Sequence, residues 1–132
     1  MELFKHPFYT FVYDPKRKII SFNWTVETEK MQVHDYQEAI HNFAGFALSS
    51  PVKGLLVDLR DFRYRPPASL GYWRDEAVSP RYVKAGVKKL AYIAPPGLLE
   101  QMMSGKDEYK DKRGFEEAYF GTEGEALGWL SS

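Results

Sequence analysis

The spacing of apolar residues predicts a β-hairpin near the start of the chain. Residues 8–13 are rich in aromatic and β-branched strand formers, and residues 14–17, Asp-Pro-Lys-Arg, have the composition of a turn. Residues 19–24 resume the strand pattern, with the large side chains at alternate positions on one face. These side chains are Ile20, Phe22 and Trp24. The polar residues 25–32 are interpreted as a loop or a strand extension.

A helix and a buried strand follow the hairpin. The helix is predicted to begin near Asp35 and to end at residues 49–51, Ser-Ser-Pro. Residues 54–59 are almost wholly apolar, which is typical of a strand covered on both faces, so we expect them in the middle of a sheet. The apolar stripe of the helix consists of Tyr36, Ile40, Phe43, Ala44 and Ala47.

The second half of the chain predicts further alternation of helices and strands. Residues 68–78 carry apolar side chains at helical spacing, and Ser79 and Pro80 are expected to end that helix. Residues 87–94 predict a second buried strand, which Pro-Pro-Gly at 95–97 ends before a short helix at 98–103. The charged residues 104–113 fit either a helix extension or a surface loop.

The chain closes on a strand and a capped helix. Residues 115–120 read as a strand, Thr122 is placed to cap the next helix, and Glu125 is placed to reach back to the cap. The resulting order is β-β-α-β-α-β-α-β-α. It predicts one α/β domain over residues 1–132, with an N-terminal β-hairpin, a mixed sheet of about five strands and helices packed against the sheet.

Composition narrows the classes of function. The 132 residues suit one domain, and 18 basic against 18 acidic residues leave no net charge to attract nucleic acid or an anionic membrane. No cysteine is present, which removes disulfides, thiol catalysis and thiolate metal sites, so we expect a cytoplasmic location. No run of about 18 apolar residues occurs and the N-terminus lacks the signal-peptide pattern, so neither a membrane span nor a signal peptide is predicted.

Three segments together resemble a known family. They are Gly-Leu-Leu-Val-Asp-Leu-Arg at 54–60, Lys-Leu-Ala-Tyr-Ile at 89–93 and Phe-Gly-Thr-Glu-Gly-Glu-Ala-Leu-Gly-Trp-Leu at 120–130. The chain resembles, over nearly its whole length, the SpoIIAA-like group of STAS-type domains. That resemblance implies a small α/β fold related to anti-sigma-factor antagonists and to the lipid-binding SEC14 fold.

The phosphorylation site of the antagonists is not reproduced. Their phosphorylatable serine lies in an Asp-Ser-Ser-Gly segment after the central strand, whereas residues 62–71 here read Phe-Arg-Tyr-Arg-Pro-Pro-Ala-Ser-Leu-Gly. Ser69 is the only serine in that segment. Helix capping or simple exposure is therefore the favoured interpretation of Ser69.

No catalytic, cofactor or metal site is predicted. His34 and His41 lie two helical turns apart, roughly 10 Å along the axis, which is too far to share a metal ion, so the histidines are assigned to the surface. Neither a nucleophile motif nor a phosphate-binding glycine loop occurs. Asp58 and Arg60 point to the same side of the central strand, and an ion pair or a loop cap is favoured over catalysis.

The segment with the most functional character is basic and aromatic. If the strands at 54–59 and 90–94 are parallel, the loops at 60–67 and 95–97 leave the same edge of the sheet, where α/β folds bind ligands. Arginine forks there suit a carboxylate or phosphate, and aromatic rings suit a flat or apolar portion. In the alternative, these arginines pair with Asp61, Asp75 and Glu76 on a solvated loop. The candidate binding residues are Asp58, Arg60, Arg63, Tyr64, Arg65, Ser69 and Trp73.

The leading hypothesis is a non-enzymatic regulatory or binding module that recognises a partner protein or a small anionic or amphipathic ligand. A homodimer is expected, because the hairpin leaves an unpaired edge strand. Nucleic acid is not expected as a partner, since no helix-turn-helix or RNP pattern occurs. An enzyme using Asp58 with Arg60 or His41 is the least favoured reading. The alternative is a SEC14-like lipid or apolar carrier, with a cavity of several hundred Å³ lined by residues such as Phe43, Phe46, Trp73, Met102 and Met103.

Overall fold

The computed structural model describes residues 1–98 and 114–132 and places a six-stranded mixed sheet at the centre of the domain. The strands follow one another across the sheet in chain order. The first three pair antiparallel and the remaining pairs are parallel. The strands are β1 (Glu2–His6), β2 (Tyr9–Asp14), β3 (Ile19–Trp24), β4 (Gly54–Asp58), β5 (Lys89–Ile93) and β6 (Glu116–Phe120).

Helical segments connect β3 to β4 and β4 to β5. The predicted α/β architecture with an N-terminal hairpin is confirmed, and β4 and β5 lie inside the sheet as expected. Residues 25–32, interpreted as a loop or strand extension, contain a 3-10 helix over Val26–Lys30. The α-helices in the described residues are α1 (Val33–Ser49), α2 (Ser69–Trp73), α3 (Ser79–Ala85) and α4 (Glu123–Leu130), and a π-helical turn spans Arg74–Val78.

The strand count of about five is one too low. The missed strand is β1, whose sequence Glu-Leu-Phe-Lys-His does not alternate between apolar and polar residues. Its pairing with β2 shifts register between Glu2 and Phe4, so neither its pattern nor its bulge is visible in the local sequence. Strand β1 also becomes the edge of the sheet, in place of the predicted hairpin strand.

The sheet is covered differently on its two faces. The first face carries side chains such as Phe22, Leu55 and Leu90 and packs against α1, whose predicted apolar stripe is buried throughout. In the described residues, the second face is covered over the parallel strands, where Leu56 and Ile93 pack against α4. The side chains of successive strand residues point to opposite faces of the sheet. The cavity and the ion pair of Asp58 with Arg60, both described below, therefore lie on opposite faces.

The predicted end of a helix at Ser79 and Pro80 is wrong. Pro80 has no N–H to donate and its ring collides with the carbonyl four residues back, so an unbroken α-helix is not possible there. The backbone instead widens into the π turn, in which the Ser79 N–H donates to the carbonyl of Arg74. The helix α3 then starts with the proline in its first turn, where it is tolerated, and ends at Gly86.

The last helix begins as predicted, with one difference in its cap. The Glu125 N–H donates to the Thr122 hydroxyl at 3.2 Å, and that hydroxyl donates to the Glu125 carboxylate at 3.0 Å. The Glu125 carboxylate reaches back to the cap as predicted. Its partner there is the hydroxyl of Thr122, whereas in a capping box it would be the backbone N–H of the cap residue. The predicted helix at 98–103, apart from its first residue, and the charged segment 104–113 lie outside the described residues.

Candidate ligand cavity

A cavity of about 700 Å³ lies above the carboxyl-terminal ends of the parallel strands, on the sheet face that α1 covers. This is the edge at which open α/β sheets bind ligands. The strands contribute Phe22, Trp24, Val57, Leu90, Tyr92 and Tyr119, Leu59 directly follows β4, and the helical segments contribute Tyr36, Ile40, Phe43, Arg74 and Tyr82. The remaining lining residues are Phe62, Arg63, Tyr64, Arg65, Pro66, Pro95, Gly97 and Leu98.

Two loops form the opening of the cavity. The parallel pairing of β4 and β5 is confirmed, so the loops that follow them leave the same edge of the sheet. Arg63, Arg65 and Pro66 from the first loop are exposed and line the cavity, as does Gly97 in the helical residues 96–98 that follow the second loop. The solvent-exposed mouth is therefore basic.

The interior of the cavity holds the guanidinium of Arg74, the first residue of the π turn. Arg74 is partly buried and lies near Tyr92, Tyr36, Glu117 and Tyr119. These neighbours raise the pKa of Arg74, against the opposing effect of burial, so the group is charged at any physiological pH. None of the ion pairs between described residues includes Arg74.

The carboxylate that acts on Arg74 comes from the edge strand. Glu117 of β6 is in register with Leu90 of β5, which lines the cavity, so both side chains belong to the same face of the sheet. Its charge raises the pKa of Arg74 and also that of Tyr92. Arg74 is thus partly compensated by the charge of Glu117 and by a side-chain hydrogen bond with Tyr36, and it lines the cavity.

Three tyrosines near Arg74 stay neutral at physiological pH. Burial raises the pKa of Tyr36, Tyr82 and Tyr92, and the charge of Arg74 offsets part of each increase. A neutral phenol keeps its O–H, so these side chains can donate hydrogen bonds to an anion. The interior therefore combines one fixed cation with several neutral donors.

Aromatic rings form two parallel pairs in the wall of the cavity. Trp24 and Tyr36 are stacked with ring centroids 6.0 Å apart and an interplanar angle of 10°. Tyr92 and Tyr119 are stacked at 4.9 Å and 15°. Phe62 packs on Trp24 at 4.7 Å, which extends the first pair towards the mouth. The cavity is thus lined mainly by the flat faces and edges of rings.

The structure brings together only some of the predicted site residues. Arg63, Tyr64 and Arg65 line the cavity. Ser69 is exposed as the first residue of α2, and Trp73 packs against the core; neither is among the described lining residues.

Of the side chains expected to line a carrier cavity, some line the cavity and others do not. Phe43 lines it, whereas Phe46 packs against Phe4 and Phe11 on the hairpin. Met102 and Met103 lie outside the described residues. Phe43 belongs to the predicted apolar stripe of α1 and Phe46 does not, so the stripe separates the side chain that reaches the cavity from the one that packs on the hairpin.

Asp58 and Arg60 form the predicted ion pair and loop cap. The backbone N–H of Arg60 donates to Asp58 Oδ1 at 3.0 Å, and this bond caps the loop. The side-chain Nη2 of Arg60 donates to Asp58 Oδ2 at 2.7 Å, and this contact is the ion pair. Asp58 alternates with the cavity residues Val57 and Leu59, so its side chain belongs to the opposite face of the sheet. This pair does not contribute to the cavity.

His34 and His41 lie on the surface of α1 as predicted, whereas His6 on β1 is half-buried and stacks on Tyr9. His34 and His41 are both exposed, and the His41 Nδ1 lies 3.0 Å from Nη1 of Arg81. Within the described part of the chain, no three His, Asp or Glu side chains converge as a metal-binding group would.

The sequence did not predict the residues that supply the charge and the hydroxyl groups of the cavity interior. Arg74 follows the basic and aromatic segment but is not among the predicted binding residues, because the neighbours that define its role, Tyr36 and Tyr92, come from elements far away in the chain. Tyr92 offered a signal, since a hydroxyl in an otherwise aliphatic buried strand needs a polar partner. Thr28 is fully buried, donates to the Thr25 carbonyl and accepts the Arg63 N–H at 2.7 Å, so it fixes the loop at the mouth.

No protein-family model, no curated protein and no solved structure matches this chain. Among residues 1–98 and 114–132, no helix has the length and hydropathy needed to cross a membrane. The chemistry of the cavity is therefore the basis for a functional inference.

Proposed function

We propose that this protein is a non-enzymatic binding module that holds a small amphipathic anion in its cavity, with Arg74 contacting the anionic group. The observation that carries the proposal is a charged guanidinium inside a cavity whose lining, apart from Arg63 and Arg65 at the mouth, consists mainly of aromatic and aliphatic side chains. Removing a cation from water is costly unless an anion or hydrogen-bond acceptors compensate it. A bound carboxylate, sulfonate or phosphate would supply that compensation through the two-pronged geometry of arginine.

The dimensions of the cavity also support a small-molecule ligand. Its volume of about 700 Å³ falls in the range of ligand pockets, which hold mostly apolar linings and a few polar groups. The exposed arginines at the mouth, Arg63 and Arg65, would attract an anion towards the opening. The apolar portion of the ligand would then lie against the aromatic wall.

The lining favours recognition over catalysis. The described lining residues include no serine, histidine, lysine or carboxylate that could act as nucleophile or general base. Asp58, the carboxylate considered for catalysis, is bonded to Arg60 on the other face of the sheet. Binding without chemistry is the simpler function for this set of side chains.

We further propose that the domain is of the SpoIIAA-like, STAS-related type, which the mixed α/β sheet with its N-terminal hairpin supports at the level of architecture. A SEC14-like carrier of lipids or apolar molecules is the second candidate, favoured by the cavity volume. The interior charge of Arg74 favours an anion over an uncharged ligand. Recognition of a partner protein, a homodimer and a cytoplasmic location stay predictions.

Fluorescence titration with anilinonaphthalene sulfonate, an amphipathic anionic dye, tests the proposal. Wild-type protein should bind the dye, and Arg74→Met should bind it at least about tenfold more weakly because a charge-assisted contact is lost. Arg60→Met is the matched control, since it removes an arginine from the opposite face, and its affinity should stay within about twofold of wild type. Equal affinities for wild type and Arg74→Met would contradict the proposal.

Urea unfolding of each variant separates loss of binding from loss of folding. If Arg74→Met does not fold, Arg74→Lys keeps the charge but loses the fork, and intermediate affinity is the expected result. Unchanged affinity in the folded lysine variant, together with unchanged affinity after the Tyr92→Phe substitution, would also contradict an anion site at Arg74. Native mass spectrometry of protein purified from cells would show any retained ligand and, in the same spectrum, the oligomeric state.

A further inference from the structure

We infer that the ligand of this cavity is a planar aromatic monocarboxylate. The inference rests on the proposed function, because it names the class of anion that the site around Arg74 would accept. Two features carry it: a single interior cation with a carboxylate in its field, and a wall built from parallel pairs of aromatic rings. Each feature excludes a different group of competing anions.

The charges favour one negative charge on the ligand. Arg74 is the one interior charge among the described lining residues, since Arg63 and Arg65 are exposed at the mouth. The field of Glu117 already reaches Arg74 and would repel a second negative charge placed beside it. A carboxylate satisfies the guanidinium with a single charge, whereas a phosphate monoester brings nearly two.

The polar groups near Arg74 match the geometry of a carboxylate. A guanidinium donates two parallel hydrogen bonds to the two oxygens of a planar carboxylate. Each oxygen keeps a lone pair, and the hydroxyls of Tyr36 and Tyr92 are neutral donors in the field of the same guanidinium. The set of donors is thus complete without any further cation.

The walls favour a ring over an alkyl chain. Aromatic residues outnumber aliphatic ones in the lining, and the stacked pairs Trp24 with Tyr36 and Tyr92 with Tyr119 are close to parallel. A flat ligand adds stacking and edge-to-face contacts to the area that it buries. A flexible chain gains only the buried area and loses more conformational freedom on binding.

Competition between two matched acids tests the inference. Cinnamate and nonanoate have the same number of carbons and the same carboxylate, but only cinnamate is planar and aromatic. Each acid is titrated against wild-type protein loaded with anilinonaphthalene sulfonate, and displacement of the dye gives its affinity. Cinnamate should bind at least about tenfold more tightly than nonanoate, and more tightly than cinnamamide or phenyl phosphate.

Two variants connect this preference to the proposed contacts. Tyr64→Leu removes a lining ring and should weaken cinnamate by about three- to tenfold while changing nonanoate by less than about twofold. Tyr72→Leu is the control, because Tyr72 is 62% exposed and does not line the cavity. Arg74→Met should abolish displacement by both acids.

The outcomes distinguish this inference from the proposed function. Nonanoate that binds as tightly as cinnamate, a tighter phenyl phosphate, or dye that neither acid displaces would each overturn the aromatic monocarboxylate. If the dye itself still binds through Arg74 in those cases, the anion site stands. Dye binding that does not depend on Arg74 would overturn both.

Discussion

Asp58 accepts three side-chain hydrogen bonds from Arg60. Arg60 Nε donates to both carboxylate oxygens at 3.0 and 3.2 Å, and Nη2 donates to Oδ2 at 2.7 Å. These bonds raise the pKa of Arg60. The pair belongs to the sheet face opposite the cavity, and its hydrogen bonds join these two residues to each other.

Removing this pair should affect stability slightly and ligand binding hardly at all. The Arg60 side chain is 49% exposed and that of Asp58 is 18% exposed, so solvent screens their attraction. Asp58→Asn and Arg60→Met should each lower the free energy of unfolding by about 1 kcal/mol or less. Urea titration gives that value, and dye affinity should match wild type. A tenfold loss of dye affinity in either variant would show that the pair takes part in the site.

Thr28 should be a strong determinant of the loop at the mouth. Thr28→Val keeps the shape of the side chain but leaves the partly buried Arg63 N–H without its acceptor, which should cost about 1 kcal/mol in unfolding free energy. The same change should weaken dye binding, because the loop carrying Arg63 and Tyr64 loses its anchor. Thr10→Val, on β2, is the control. A wild-type urea midpoint for Thr28→Val would contradict the anchoring role.

Lys89 should hold the end of α4 on the sheet. Its ammonium donates to the Trp129 carbonyl at 2.9 Å, to the Ser132 carbonyl at 3.0 Å and to the Ser132 hydroxyl at 2.8 Å, and lies 5.0 Å from the centre of the Trp129 ring. Lys89→Met should lower the free energy of unfolding by about 1–2 kcal/mol.

The neighbouring lysine provides the control for this prediction. Lys88 is exposed, and Lys88→Met should change stability by less than about 0.5 kcal/mol. Chemical denaturation of both variants, followed by tryptophan fluorescence, makes the comparison. Equal loss in the two variants would mean that the contacts of Lys89 with α4 contribute nothing.

Two glycines should respond to alanine in opposite directions. Gly86 ends α3 with φ of +91°, a left-handed conformation that an alanine adopts only with strain, so Gly86→Ala should destabilise by about 1–2 kcal/mol. Gly128 lies within α4 with open space around its Cα, so Gly128→Ala should stabilise by about 0.5–1 kcal/mol. Thermal unfolding monitored by circular dichroism measures both. A loss of stability on Gly128→Ala would contradict the expected effect of helix propensity.

Local pattern was sufficient to predict most of the fold. The alternation in β3, the apolar stripe of α1 and the apolar run of β4 are determined by short-range spacing, and each forms the predicted element. The failures are β1 and the helix end at Pro80. Strand β1 depends on a bulged pairing with β2, and the helix continues past Pro80 because a π turn absorbs the missing bond.

The site was predictable only at its mouth. Arg63, Tyr64 and Arg65 are adjacent in sequence and follow a recognisable strand, so their shared edge could be expected. The interior depends on bringing Tyr36, Arg74 and Tyr92 together from three separate elements. Their proximity depends on the parallel register of the strands and on the π turn. This turn contains one residue more than an α-helical turn and so changes the direction in which Arg74 points.

The buried tyrosines should make the fold sensitive to alkaline pH. Tyr82 and Tyr92 have an ordinary pKa of 10.0, and burial raises both values in the folded protein. Above pH 10 the unfolded chain therefore releases protons that the folded protein retains, so the stability contributed by the neutral phenols is complete below pH 10 and lost as pH rises towards the folded pKa. The loss can reach about 1.4 kcal/mol per pH unit for each such tyrosine.

Urea unfolding at pH of about 8 and about 11 measures this decline. Tyr82→Phe removes one of the linked protons, so the stability of this variant should fall less steeply with pH than that of the wild type. Tyr72→Phe changes a tyrosine that is 62% exposed and should leave the slope unchanged. Comparing slopes, and not absolute stabilities, removes the effect of the lost hydroxyl at neutral pH. Parallel declines for wild type and Tyr82→Phe would contradict a raised pKa for Tyr82 in the folded protein.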